Sequence, residues 1–167
     1  MYPYNRNPQK NIASREEHTN NNTKKDLASD KRLLSLLELA LQESTQLMER
    51  YHHLMTEADV CKPSENIIQS MYLDEKKHCN QLREAYYTIT NQPPQMPDKK
   101  HAYTATPMTT PKEYLEETLL LEMDGCDFYR NLLLCLDDPD LQNILFEILT
   151  DKQNHATACC YLYHKYF

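Results

Sequence analysis

A single glycine, Gly125, serves all 167 residues of this chain. Tight hairpin turns and phosphate-cradling loops both lean on glycine, so a turn-rich β-fold and a nucleotide loop are disfavoured from the outset. Helices remain, and the spacing of apolar residues supplies them. In 64–91 the positions Ile68, Met71, Glu75, His78, Leu82, Ala85 and Ile89 alternate steps of three and four, the stripe of one buried helix face. Three further segments, 31–59, 111–137 and 139–166, carry comparable stripes. They comprise Leu33, Leu37, Ala40, Ser44, Leu47, Tyr51 and Leu54; then Leu115, Leu119, Glu122, Cys126, Tyr129, Leu133 and Leu136; then Leu145, Ile148, Lys152, His155, Cys159, Leu162 and Tyr166. Pro63-Ser64 and Pro111 mark helix starts.

Connection lengths set the topology. DVCKPS and DDPD are short, so the first and second helices form one antiparallel hairpin and the third and fourth another. Between the hairpins runs NQPPQMPDKKHAYTATPMTTP, about 91–111, with five prolines. Extended, it reaches ~65 Å, whereas a helix of the length seen here spans ~39 Å. The crossover can therefore traverse the bundle, and the expected fold is an all-α four-helix bundle of residues 31–167. Residues 1–30 are polar and Asn-rich without periodicity, which predicts a disordered tail.

The formal charge of −7 and the lack of a long Lys/Arg cluster argue against nucleic acid as a partner. No apolar run approaches a membrane span and no signal-peptide core is evident, so a soluble, cytoplasmic protein is expected. The six cysteines form no C-x-x-C pair, and reduced thiols serving mostly as core filler are expected. The vicinal Cys159-Cys160 pair hints weakly at redox chemistry, His52-His53 are expected at the surface, and YLYHKYF suits helix packing or a subunit contact.

The two halves repeat. A shift of 77 residues lays Ile67, Ile68, Met71, Asp74 and His78 on Ile144, Leu145, Ile148, Asp151 and His155, and a shift of 79 lays Glu43 on Glu122. Glu75 and His78 share one buried face, where a carboxylate and an imidazole are costly unless paired or metal-bound. A Glu from each of two helices with Glu-x-x-His from the other two is the carboxylate-bridged di-metal arrangement.

The stretches MYLDEKKHCNQLREAYYTIT, LEMDGCDFYRNL and NILFEILTDKQNHATACCYLY, in this order and with this crossover, resemble the rubrerythrin-like branch of the ferritin-like superfamily over residues 31–167. The resemblance implies a ferritin-like bundle in which Glu43, Glu75 and His78 hold one metal and Glu122 and His155 contribute to a second. It implies iron or manganese, a ferroxidase- or peroxidase-like oxidoreductase if the site is active, and an external redox partner, since no rubredoxin module is present. Relatives of this compact type occur in spore-forming bacteria, so a spore-associated role is an expectation by analogy, as is a homodimer.

The chain departs from the family pattern at Lys152, which stands where the second bridging glutamate belongs; Asp151, one residue earlier, points about 100° away. Three carboxylates and one ammonium leave two negative charges, enough for one divalent ion, so Lys152 is expected to pair with Glu122 or Glu75 in place of a metal. The alternatives are a metal-free network of Glu75, His78, Glu122 and His155 with Lys152 reaching solvent, and a non-catalytic interaction protein. Glu43 flanks its stripe, and Arg50 is a rival partner for it; Tyr129 suits either packing or a hydrogen bond near the site.

Overall fold

The computed structural model describes residues 30–95 and 110–167. Within them the chain is helical: α1 (Lys31–Glu57), a short 3-10 helix (Asp59–Ser64), α2 (Glu65–Thr90), α3 (Pro111–Leu134) and α4 (Pro139–Tyr166). All of the expected tail but Asp30, which caps α1, and most of the expected crossover lie outside the described residues.

Caps explain where the helices begin. The Asp30 carboxylate accepts from the amides of Arg32 and Leu33 at 3.0 and 3.1 Å, and Asp138 accepts from Leu141 at 2.8 Å. Thr110 accepts from Glu113 at 3.3 Å. Pro111 and Pro139 each follow a cap in the first helical turn, where a missing N–H costs nothing. Asn91 ends α2 in the left-handed region, φ 55°, its amide donating to Tyr87 O at 2.7 Å. The expected start at Pro63-Ser64 works differently. Pro63 sits inside the 3-10 turn, and the Ser64 hydroxyl meets Tyr166 Oη at 2.7 Å and Lys165 Nζ at 2.9 Å instead of capping α2. The turn is thus tied to the end of α4.

Helices adjacent in sequence pack most extensively, α1 on α2 and α3 on α4, and narrower contacts set α1 beside α3 and α2 beside α4. Two apolar clusters fill the interior. One gathers Leu37, Leu41, Leu82, Tyr129, Leu145 and Ile148; the other gathers Leu47, Tyr51, Leu54, Ile68, Leu115 and Leu162. Each such side chain contributes about 1.5–3 kcal/mol on burial. Between the clusters in helix order lie Ser44, Glu75, His78, Glu122, Lys152 and His155, all buried.

The expected stripe of α1 is buried throughout, together with Leu41 and Arg50. That of α3 is half corrected. Leu115, Glu122, Tyr129 and Leu136 are buried, but the positions between them are Thr118, Gly125 and Leu132, whereas Leu119, Cys126 and Leu133 are half-buried. Both choices satisfy steps of three and four, and hydrophobicity favoured the wrong one. Ala85, Ile89 and Tyr166 are also only half-buried. Of the cysteines, Cys61, Cys79 and Cys159 are buried, Cys126 is half-buried, and Cys135 and Cys160 are exposed; all six are free thiols.

Candidate metal centre

All four helices contribute to the polar layer: Glu43 from α1, Glu75 and His78 from α2, Glu122 from α3, and Lys152 and His155 from α4. Lys152 points inward. Its ammonium lies 2.9 Å from Glu75, 3.4 Å from Glu122 and 3.5 Å from Glu43, so it pairs with both expected partners and a third. Burial opposes its charge, but the three carboxylates outweigh burial and hold its pKa well above the usual lysine value. Burial likewise opposes the charge of Glu75, and Lys152 with the two histidines overrides it, holding that carboxyl well below its ordinary range.

The two histidines are oriented by reciprocal contacts between the halves. His78 Nε2 meets Asp151 at 3.0 Å, and His155 Nε2 meets Asp74 at 3.2 Å. In each case the carboxylate accepts a hydrogen bond from Nε2–H and turns Nδ1 toward the cluster. His78 Nδ1 lies 3.4 Å from Glu75, and His155 Nδ1 lies 3.4 Å from both Glu75 and Glu122. Burial favours neutral His155, but Glu122 and Glu75 outweigh it and push its pKa up to about 10.

Two tyrosines border the carboxylates. Tyr51 donates its hydroxyl to Glu122 Oε1 and sits edge-on to the His155 ring. Tyr129 donates to Ala40 O at 3.3 Å and lies 3.5 Å from Ser44 Oγ, with its ring 5.9 Å from the Lys152 ammonium. Tyr129 therefore packs beside the site and bonds to its flank. Arg50 does not claim Glu43: it donates to Thr118 at 3.1 Å, pairs with Glu117 and lies over the Tyr114 ring.

Gly125 makes the space. A Cβ there would lie 2.5 Å from Glu43 Oε1 and 3.3 Å from Lys152 Cδ, so glycine admits the carboxylate and the lysine stem where they stand, and a larger residue would require the carboxylate to shift. Burial pushes the Glu43 pKa up to about 7, against the pull of Lys152.

Several buried atoms that face this layer have no hydrogen-bond partner among the described residues: both oxygens of Glu43, Glu75 Oε2, Glu122 Oε2, and Nδ1 of both His78 and His155. Buried polar atoms are rarely left so. Glu75, Glu122 and His155 each offer one ligand atom within 4.8 Å of the others, a group that could hold a metal ion. That group takes Glu75 from one expected ligand set and Glu122 and His155 from the other; Glu43 and His78 adjoin it through Lys152 and Glu75. The donors, two carboxylates and one imidazole, are of the kinds that divalent metal ions take as ligands.

Sequence reasoning missed Tyr51 as a polar partner, Asp74 and Asp151 as histidine partners, and Gly125. The repeat that aligned Asp74 with Asp151 held the signal for the second of these. Cys159 is pushed up to about 12, by burial and then by Glu122, while Cys160 beside it is an exposed free thiol. His52 and His53 are exposed as expected, against Tyr72 and Tyr114. In the C-terminal stretch Leu162 packs into the core and Tyr166 meets Ser64. No helix among the described residues is long and apolar enough to cross a membrane. No family model matches the chain, and no curated protein matches it.

Proposed function

We propose that this chain is a ferritin-like bundle of rubrerythrin-like type that binds one divalent transition-metal ion, iron or manganese, at Glu75, Glu122 and His155. The observation that carries the reading is the convergence on one layer of the bundle of buried carboxylate and imidazole atoms that lack hydrogen-bond partners and meet only through ion pairs of 3.4–3.5 Å or not at all. An iron ion bound there would supply one-electron redox chemistry toward oxygen or peroxide. The chain's own part is to hold and orient. Asp74 fixes the His155 ring, Tyr51 fixes one oxygen of Glu122, and Lys152 balances the charge that a second ion would otherwise neutralise.

Metal per chain after anaerobic ferrous loading and desalting tests this, with wild type beside Lys152→Glu. One ion in the wild type and two in the variant are expected; none in either would overturn the reading. A second reading has its own observation. Lys152 already pairs with three carboxylates, so the layer can stand as a salt-bridge network in a non-catalytic interaction protein. Peroxide turnover by iron-loaded protein separates the two.

A further inference from the structure

The polar layer is closed on most sides. The side chains of Glu75, His78, Glu122 and Lys152 have no exposed surface, whereas that of Glu43 is 19% exposed. Glu43 and Gly125 belong to a groove of ≈ 310 Å³ between α1 and α3 whose polar rim is Gln42, Gln46 and Asp124. The larger grooves near Leu33 and near Ile89 include no member of the layer.

We propose that this groove is the port through which a hydrated divalent cation reaches the layer, with Glu43 the first carboxylate of the layer that it meets. The proposal rests on the metal-binding reading above and adds the route. Both Glu43 oxygens are buried without hydrogen-bond partners, although the side chain is the layer's contact with the groove. Oxygen-only donors suit a cation still carrying water, and the two glutamines can exchange hydrogen bonds with that water. Glu43, Glu75 and Glu122, with Asp74 and Asp151 behind the histidines and Asp124 on the rim, outnumber the Lys152 ammonium and a cationic His155, so the net field at the floor attracts cations. The apolar walls Leu39, Leu121 and Phe128 concentrate that field. Gly125 keeps the floor open, since any side chain there would fill the gap against Glu43.

The test is the rate of cobalt(II) binding, followed by visible absorbance in a stopped-flow instrument with the full, metal-free chain at low ionic strength. Asp124→Lys reverses a charge on the rim. Glu84→Lys makes the same change at the separate groove between α2 and α4. Both positions are exposed, so both variants should fold. Asp124→Lys is expected to slow uptake at least about threefold, with unchanged final stoichiometry, and the difference should fade at high salt. Glu84→Lys should match the wild type. Equal rates in all three proteins, or equal slowing in both variants, would overturn the port while leaving the metal site standing. A wild type that takes up no cobalt would overturn both.

Discussion

Lys152 sets its ammonium 2.9 Å from Oε1 of Glu75, and neither side chain has any exposed surface. The two residues stand 77 positions apart, the spacing that aligns the halves of the chain. They are therefore the same place in the repeat, acidic in one half and basic in the other, facing one another in the core. Glu122 and Glu43 complete the setting, so the lysine is a fixed counter-charge for three acids.

Removing that counter-charge should be costly. Lys152→Met keeps the apolar stem but leaves Glu43, Glu75 and Glu122 facing one another in the interior. Breaking a buried ion pair by deleting one partner costs about 3–5 kcal/mol. Urea unfolding in the presence of a chelator should show a loss of that size, and added manganese should restore part of it.

Tyr51→Phe should act on one atom. The hydroxyl that donates to Glu122 Oε1 disappears, while the ring still fills the core. An unsatisfied buried acceptor costs about 1–3 kcal/mol, more where it is charged. Unfolding without metal should register that loss, while Tyr87→Phe, at an exposed position of α2, should leave stability within about 0.5 kcal/mol of wild type.

Stability should also carry the mark of Glu43. Its pKa rises from 4.5 to about 7 in the folded chain, chiefly through burial. Between those values the folded state holds a proton that the unfolded state has released. The contribution is therefore fully present below pH 4.5 and lost as the pH rises through about 7. Metal-free Glu43→Gln should lack that decline, and a pH series of unfolding curves should show the variant gaining on the wild type between pH 5 and 7.

Gly125→Ala tests the same carboxylate from the other side. The new methyl collides with Glu43 Oε1, the far end of a flexible side chain, so the carboxylate should rotate toward the groove. Alanine's helix preference, about 1 kcal/mol over glycine, offsets the weakened pairing, and net stability should change by no more than about that amount. Carbon NMR of labelled glutamate should show the Glu43 pKa falling from about 7 toward its ordinary value.

Thiol labelling at pH 8 should follow burial. Cys135 and Cys160 are exposed and should react first, and Cys126 later. Cys159, with its pKa pushed up to about 12, should resist until the protein unfolds despite its reactive neighbour. Mass spectrometry after timed alkylation measures the order.

Periodicity carried far in this chain where apolar and small residues alternated cleanly. The α1 stripe from Leu33 to Leu54 is buried as its spacing requires. In α3 the spacing admitted two interleaved sets, and the buried one includes Thr118 and Gly125, which no hydrophobic scale selects. Gly125 is buried because two charged side chains from other helices need its missing Cβ, information that lies in Glu43 and Lys152 rather than in its own neighbourhood. The stripe of α4 held Lys152 but left open whether its ammonium turned inward or reached solvent, since a long flexible stem allows both, and its third partner, Glu43, sits one step off the face of α1. Tyr51 hid in the same way: a tyrosine on an apolar stripe says nothing of where its hydroxyl ends.

The charged layer also fixes alignment. Apolar knobs tolerate a slip of one helix past another, because leucine meets leucine again one turn on. Ammonium and carboxylates have no second set of partners at that distance. Sliding α4 by one turn, about 5.4 Å, would carry Lys152 from its three acids into an apolar cluster and break the His155–Asp74 and Asp151–His78 contacts together. The costliest residues in the core thus act as a keyway, admitting one register of four helices and rejecting its neighbours.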